Sequence, residues 1–302
     1  MSILIESKDG PVNFVLHPTD LSEASLTAFH HALAIAIRRG AQFTLLHAVG
    51  RRTTDNWVDF PSVRDTLARW REFGSTEALE ESIRRSSVSK LEVPVRDPVA
   101  ACREYVDRNP VDMLVVATEG RSGLSRLIRA SRAERLARES RLYTLFVPAE
   151  GRPFVDGESG AVTLRRILLP VDPATDPRPA MLRAVQSAAL LDDPSLEITL
   201  LHVHTGDAEE RPVTDAPQLP FCQWKVVVRR GDDVAGEILA TAEEMSADAI
   251  YMSTAWQKPG LGRSARGVTE AVLETAGCPV AAVPVAPQSA RAPSSFSLKP
   301  IR

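Results

Sequence analysis

The chain says nearly the same thing twice. Asn13-Phe-Val-Leu-His-Pro-Thr-Asp20 is answered by Arg166-Ile-Leu-Leu-Pro-Val-Asp172, each a short apolar run that ends in an acidic turn and leads into an Ala/Leu-rich helical pattern. Phe43-Thr-Leu-Leu-His-Ala48 is answered by Ile198-Thr-Leu-Leu-His-Val203, Val93-Pro-Val-Arg-Asp97 by Val227-Val-Arg-Arg-Gly-Asp232, and Val111-Asp-Met-Leu-Val-Val-Ala-Thr118 by Ala247-Asp-Ala-Ile-Tyr-Met-Ser-Thr254. An internal repeat of this kind restricts the chain to an architecture built from two like units. The spacing from Asp20 to Asp172 is 152 residues and that from Asp97 to Asp232 is 135, so the second copy lacks a segment between its second and third apolar runs.

That segment differs in kind between the copies. In the first, residues 61–73 and 76–85 have helical spacing, with Val63, Leu67 and Trp70 on one stripe. In the second, the interval holds Pro212, Pro217 and Pro220, a density that a helix interior does not tolerate. The second copy is therefore expected to cross over by a loop or short turn. The apolar runs do not alternate with polar residues, which suits parallel strands buried on both faces. Their alternation with helical stretches indicates βαβ units, and right-handed crossovers then wind each copy into a five-stranded sheet with helices on both sides. The fold class is α/β, with two tandem doubly wound five-stranded parallel-sheet domains of which the second is shortened. The expected boundaries are 1–148 for the first domain, 149–164 for a linker, 165–285 for the second domain and 286–302 for a disordered tail rich in Pro, Ser and Ala.

Composition removes several classes of function. The net charge of −3 exerts no pull toward nucleic acid or anionic membranes. No apolar run approaches the ~18 residues of a membrane span, and the opening Met1-Ser-Ile-Leu-Ile-Glu-Ser-Lys lacks the basic and apolar regions of a secretory signal. Cys102, Cys222 and Cys278 are scattered and odd in number, so three reduced, buried thiols are expected rather than a disulfide framework or zinc site. These features point to the cytoplasm.

In an open parallel sheet, ligands bind beyond the carboxyl ends of the strands where strand order reverses. Three loops of the first copy are expected to converge there: Pro18-Thr-Asp-Leu-Ser22, His47-Ala-Val-Gly50 and Ala117-Thr-Glu-Gly-Arg-Ser-Gly-Leu-Ser-Arg126. In the third, Gly120 and Gly123 let backbone approach a bulky anion. Arg121, Arg126, Arg129 and Arg132 add positive charge. Ser131-Arg-Ala-Glu134 reads as a capping box that opens a helix, whose free N–H groups would attract phosphate.

Pro18-Thr-Asp-Leu-Ser-Glu-Ala-Ser25 and the glycine-bearing loop that follows Ala117 resemble universal stress proteins, and the likeness runs through nearly the whole chain twice. It implies a Rossmann-like, adenine nucleotide alpha hydrolase-like fold. It also implies an ATP or other adenine-nucleotide site in the first copy. The nucleotide-binding branch of that family carries Gly, two residues, Gly, nine residues, Gly, then Ser or Thr. Here those places fall at Ala117, Gly120, Ala130 and Ser131. Two match, and the two alanines each add a Cβ where backbone is to approach phosphate or ribose, which works against affinity. By the same resemblance Asp20 faces the adenosine, and backbone near Ala48 and Val49 lines the adenine pocket. In the second copy the matching places hold Ser253, Trp256, Arg266 and Gly267, and the Trp would fill the room a triphosphate needs. The family's pairing through the fifth strand implies that residues 142–147 and 279–283 meet inside this chain about a pseudo-twofold axis. A homodimer through other surfaces is compatible with it.

Plainer roles compete with these. Asp20 and Asp172 can be turn residues that bond their own backbone. Ser131 can be a helix cap alone, and Asp97-Pro98 reads as an N-cap followed by proline at the first helical position. His47 and His202 end strands without partners at metal-ligand spacing, and His30 and His31, adjacent on a helix, point in different directions. No nucleophile elbow, P-loop or paired-carboxylate cluster is present, so no metal site and no efficient enzyme are indicated. Three readings stay open: a nucleotide-binding stress-response protein, a nucleotide-free interaction module of the same fold, and a slow ATP hydrolase.

Overall fold

In the computed structural model the apolar runs become strands. It describes residues 11–49, 60–74, 77–94, 97–118, 126–173, 175–205, 216–256 and 267–285. The first half runs β1 (Phe14–Thr19), α1 (Leu26–Arg39), β2 (Gln42–Val49), α2 (Val63–Gly74), α3 (Glu77–Arg85), β3 (Ser87–Pro94), α4 (Pro98–Arg108), β4 (Met113–Thr118), α5 (Arg126–Ser140) and β5 (Tyr143–Pro148). The second runs β6 (Arg166–Pro170), α6 (Arg178–Gln186), β7 (Leu196–His204), β8 (Cys222–Arg230), α7 (Val234–Glu244), β9 (Ala249–Thr254), α8 (Val268–Thr275) and β10 (Val280–Pro284). The helix α1 shows why these segments start and stop where they do. Its Ala- and Leu-rich body favours helix, and it ends on Gly40 at φ +63°, where Ala41 N–H reaches back to the Ala36 carbonyl at 2.8 Å.

The described strands form one sheet in the order β3-β2-β1-β4-β5-β10-β9-β6-β7-β8. Every neighbouring pair is parallel except β5 and β10, which meet antiparallel with Leu145 opposite Ala281. Read outward from that seam, the two halves have the same strand order and the same register. Leu16 lies between Thr44 and Leu114 as Leu168 lies between Thr199 and Ile250. One acidic residue sets the start of each inner strand. Asp112 accepts the N–H groups of Asn13 and Phe14 at 2.8 and 3.0 Å, and Asp248 accepts those of Arg165 and Arg166 at 2.8 and 2.7 Å.

Helices cover both faces. One apolar core joins the sheet to α1, α2, α3 and α6, and another joins it to α4, α5, α7 and α8. At the seam Leu145 and Ala281 are fully buried, so pairing inside the chain hides two strand edges that would otherwise be sticky. The Gly/Pro-rich stretch between β5 and β6 is itself packed: Phe154, Val155 and Leu164 are buried, and Val155 bridges Val162 in a small hairpin.

Among the described residues no helix lies between β7 and β8, and the Pro217 carbonyl accepts the Trp224 indole N–H at 2.8 Å; residues 206–215, Pro212 among them, lie outside the described residues. Asp97 caps α4 through the Val99 N–H at 3.0 Å, with Pro98 at the first helical position. Its counterpart is not Asp232 but Asp233, which caps α7 through the Gly236 N–H at 3.0 Å. The tail 286–302 lies outside the described residues.

Candidate functional site

The order of the first half reverses at β1, which lies between β2 and β4, and a cavity of about 150 Å³ opens at the carboxyl ends of these three strands. The turn after β1 shapes its rim. Leu21 sits at φ +60°, a left-handed conformation that a branched apolar residue adopts only when its surroundings impose it. What imposes it is a knot of short hydrogen bonds. Leu21 N–H donates to Thr19 Oγ1 at 3.0 Å, and Thr19 Oγ1 meets Ser25 Oγ at 2.9 Å. The exposed Asp20 carboxylate takes the Ser22 N–H at 3.1 Å and the Ser22 hydroxyl at 2.5 Å. Asp20 therefore closes its own turn while it lines the cavity mouth.

The cavity walls are apolar and the rim is polar, the usual arrangement of a small-molecule site. Leu46 and Ala48 from β2, Val116 and Ala117 from β4, Val99 and Cys102 from α4, and Ala133 and Leu136 from α5 make the walls, and Thr19, Ser22, Thr118 and Arg132 stand among the polar groups. Burial pushes the Cys102 thiol up to about 12, with Asp97 adding to the rise, so it stays protonated and unreactive at neutral pH. Cavities of ~150 Å³ take one aromatic ring, against ~300–1,000 Å³ for whole small-molecule sites. Space and lining suit the insertion of a flat aromatic ring, with the hydroxyls of Thr19, Ser22 and Thr118 and the Arg132 guanidinium as the polar groups at its edge. Among the described residues no group of three or more His, Cys, Asp or Glu is arranged to hold a metal ion.

The residues singled out in the sequence divide three ways. Asp20 and Ala117 line the cavity, and the backbone of Val49 ends β2 beside it. Gly120, Arg121 and Gly123 lie outside the described residues. Ala130 and Ser131 require a correction. The helix begins at Arg126, not at Ser131, so both stand inside α5. An interior amide is committed to a carbonyl one turn back, so no helix N-terminus is open at Ser131 to receive a phosphate. The stretch Arg126-Leu-Ile-Arg-Ala130 consists of good helix formers, and propensity carried the helix past the local capping signal.

In the second half larger side chains stand at two of the corresponding places. Asp172 closes a turn, accepting the Thr175 hydroxyl at 2.8 Å. Ile238 stands where Cys102 stands, and the half-buried Trp256 packs on the cluster that contains Leu201, Ile238, Met252 and Val272. The Arg138 guanidinium of α5 lies 5.9 Å over its ring. The helix α8 starts at Val268 with Gly267 as its cap, which is the place that Ser131 was expected to hold in the first half.

Three features of the first half had no signal in the residue pattern. Cys102 reads as an ordinary core thiol, the Thr19–Ser25 contact spans a turn, and His17 sits inside an apolar run. His17 points to the opposite face, where Nδ1 lies 2.7 Å from the Val115 carbonyl while Nε2 is buried without a hydrogen-bond partner. Burial holds its pKa down at about 4, against the pull of the Val115 bond and the Asp20 charge.

Residues 13–148 match the model of the universal stress protein family. Among solved structures, a universal stress protein from Archaeoglobus fulgidus DSM 4304 superposes with a TM-score of 0.59 at 19% identity, covering 90% of this chain and 96% of its own. A functionally unknown protein from Pseudomonas aeruginosa PAO1 gives 0.54 at 15% identity, covering 90% and 92%. The likeness of fold thus extends over both halves. No curated protein matches the sequence.

Proposed function

From a first half, residues 13–148, that belongs to the universal stress protein family, we propose that this chain is a stress-response protein that takes up ATP or a related adenine nucleotide in that half, base first. The observation that supports it is the 150 Å³ cavity at the point where strand order reverses, walled by apolar side chains and rimmed by hydroxyls and Arg132. We further propose the division into domains at 1–148 and 165–285 joined by 149–164, and a cytoplasmic location. No helix among the described residues is long and apolar enough to cross a membrane.

The placement of Ser131 inside α5 favours a second reading, a nucleotide-free interaction module, because it removes the expected anchor for phosphate. Calorimetry of the intact protein with adenosine, AMP and ATP separates the two. Ala133→Leu adds bulk to the cavity wall and is expected to abolish binding at a cost to stability of ~1–3 kcal/mol. Absence of heat with all three ligands up to millimolar concentration, or binding unchanged by Ala133→Leu, sinks the nucleotide reading. The sequence offers no evident metal-holding pair or general base for phosphoryl transfer, and ATP turnover is expected below the ~1 s⁻¹ lower end of ordinary enzymes.

A further inference from the structure

The hairpin between β5 and β6 is fastened to the first half through two adjacent histidines. His31 on α1 is fully buried. The Phe154 N–H points at its Nε2 at 3.2 Å, and its Nδ1 lies 2.7 Å from the Thr27 carbonyl. A backbone N–H can only donate and a carbonyl only accept, so these two partners together require the neutral ring with its proton on Nδ1. The Phe154 ring also stands edge-on to the imidazole at 4.4 Å. His30 lies against Gly157, where a Cβ would come within 2.7 Å of its Nδ1. From α2, the Trp70 indole donates to the Gly157 carbonyl at 3.0 Å and Arg69 pairs with Glu158 at 3.1 Å. Gly160, at φ +70°, turns over the Trp70 ring, where a Cβ would come within 2.4 Å.

We propose that His31 is an acid-released latch: its uncharged ring holds the hairpin of residues 152–163 across α1 and α2, and protonation of that ring lets the hairpin go. A proton on Nε2 would set two donors face to face at Phe154. Burial first, and His30 in addition, hold the His31 pKa at about 4 against the Thr27 bond, while a ring exposed to water titrates at 6.5. The charged and titratable groups around the pair are His30 on α1, Arg69 on α2, and Asp156 and Glu158 on the hairpin. His30 is held below its ordinary value by burial and then by Arg69, with Glu158 and Asp156 opposing, so its protonation works in the same direction. The sign follows from linkage. The closed form binds fewer protons than the open one, so its advantage is full above pH 6.5 and is lost as pH falls toward 4. Between pH 7 and pH 5 the open fraction rises about 20-fold from His31 alone. The operating window is thus set by the exposed ring and lies within mild acid.

Amide hydrogen exchange on the full chain, corrected for the intrinsic rate at each pH, reads this opening. The amides of Phe154, Asp156, Gly160 and Thr163 are all bonded in the closed hairpin. They are expected to exchange faster than those of β6 and to lose about 20-fold in protection between pH 7 and pH 5. His31→Gln offers a carboxamide that can accept from Phe154 and donate to Thr27 without titrating, and should remove most of that loss, whereas His30→Gln should keep it. The latch is refuted if the hairpin exchanges together with β6, if its protection does not fall, or if the fall persists in His31→Gln. Nitrogen-15 shifts of the His31 ring in the wild-type protein give a check that needs no variant: an Nδ1–H tautomer at pH 7 is required, and an Nε2–H tautomer overturns the proposal.

Discussion

The two halves share a scaffold and differ at the cavity, and the difference shows which constraints come from backbone and which from side chains. Strand order, register and the aspartate that starts each inner strand are the same on both sides of the seam. Each of these satisfies backbone hydrogen bonds that no burial can leave open. At the cavity, Ile238 takes the place of Cys102, Trp256 follows β9, and α2 and α3 stand between β2 and β3 where, among the described residues, no helix lies between β7 and β8. The exchange of Cys102 for Ile238 carries no backbone duty, so either side chain is compatible with the fold.

The comparison can be broken most forcefully at what the halves share. Leu145→Asp puts a charge into the fully buried seam, and Ala281→Asp does so from the other side. Each is expected to cost ~5 kcal/mol or more, read as a collapse of Tm and an expanded shape in small-angle scattering. If one of them keeps the wild-type melting curve and shape, the halves do not depend on a common seam.

Next comes the helical cover present in one half. Trp70 is 1% exposed and bonded to the hairpin, while Trp224 is half-buried with one bond to Pro217. Truncating Trp70 to Ala is expected to cost ~3–5 kcal/mol, and truncating Trp224 distinctly less. Equal losses in denaturant unfolding would show that α2 adds no more to the first half than the connection from β7 to β8 adds to the second.

Acid distinguishes the inner strands. His17 is buried in β1, where β6 carries the apolar Leu169. The folded pKa of about 4 lies below the ordinary 6.5, so the stability tied to a neutral His17 is complete above 6.5 and declines as pH falls toward 4. That decline amounts to about 2 kcal/mol by pH 5. His17→Leu, which copies the second half, should flatten the pH dependence of the unfolding midpoint by that amount. An unchanged slope would remove His17 from the account.

The smallest expected effect is the most specific. Cys102→Ile copies Ile238 into the cavity wall and should weaken nucleotide binding at least tenfold, or ~1.4 kcal/mol, while Ile238→Cys creates no binding in the second half because Trp256 remains. Calorimetry that finds full affinity in Cys102→Ile would place the ligand elsewhere.

Much of this molecule could be read along the chain. The paired apolar runs, the Asp97-Pro98 cap and the helices between β2 and β3 are local patterns, and each formed where its residues required. The resemblance to universal stress proteins added the seam between β5 and β10. The turn role of Asp20 was visible as one of two readings, and the structure makes it a turn that also lines the cavity.

The remainder was decided in three dimensions. The start of α5 turned on a contest between the capping signal at Ser131 and the helix formers before it, which spacing alone does not settle. The bond from Phe154 to His31 joins residues 123 apart, and that from His17 to Val115 joins residues 98 apart. Periodicity records which face of an element is apolar, because that depends on residues a few positions away. It holds no record of which distant carbonyl or amide will come to rest beside a buried imidazole, and that pairing sets whether the ring is a silent core residue or a group that answers to pH.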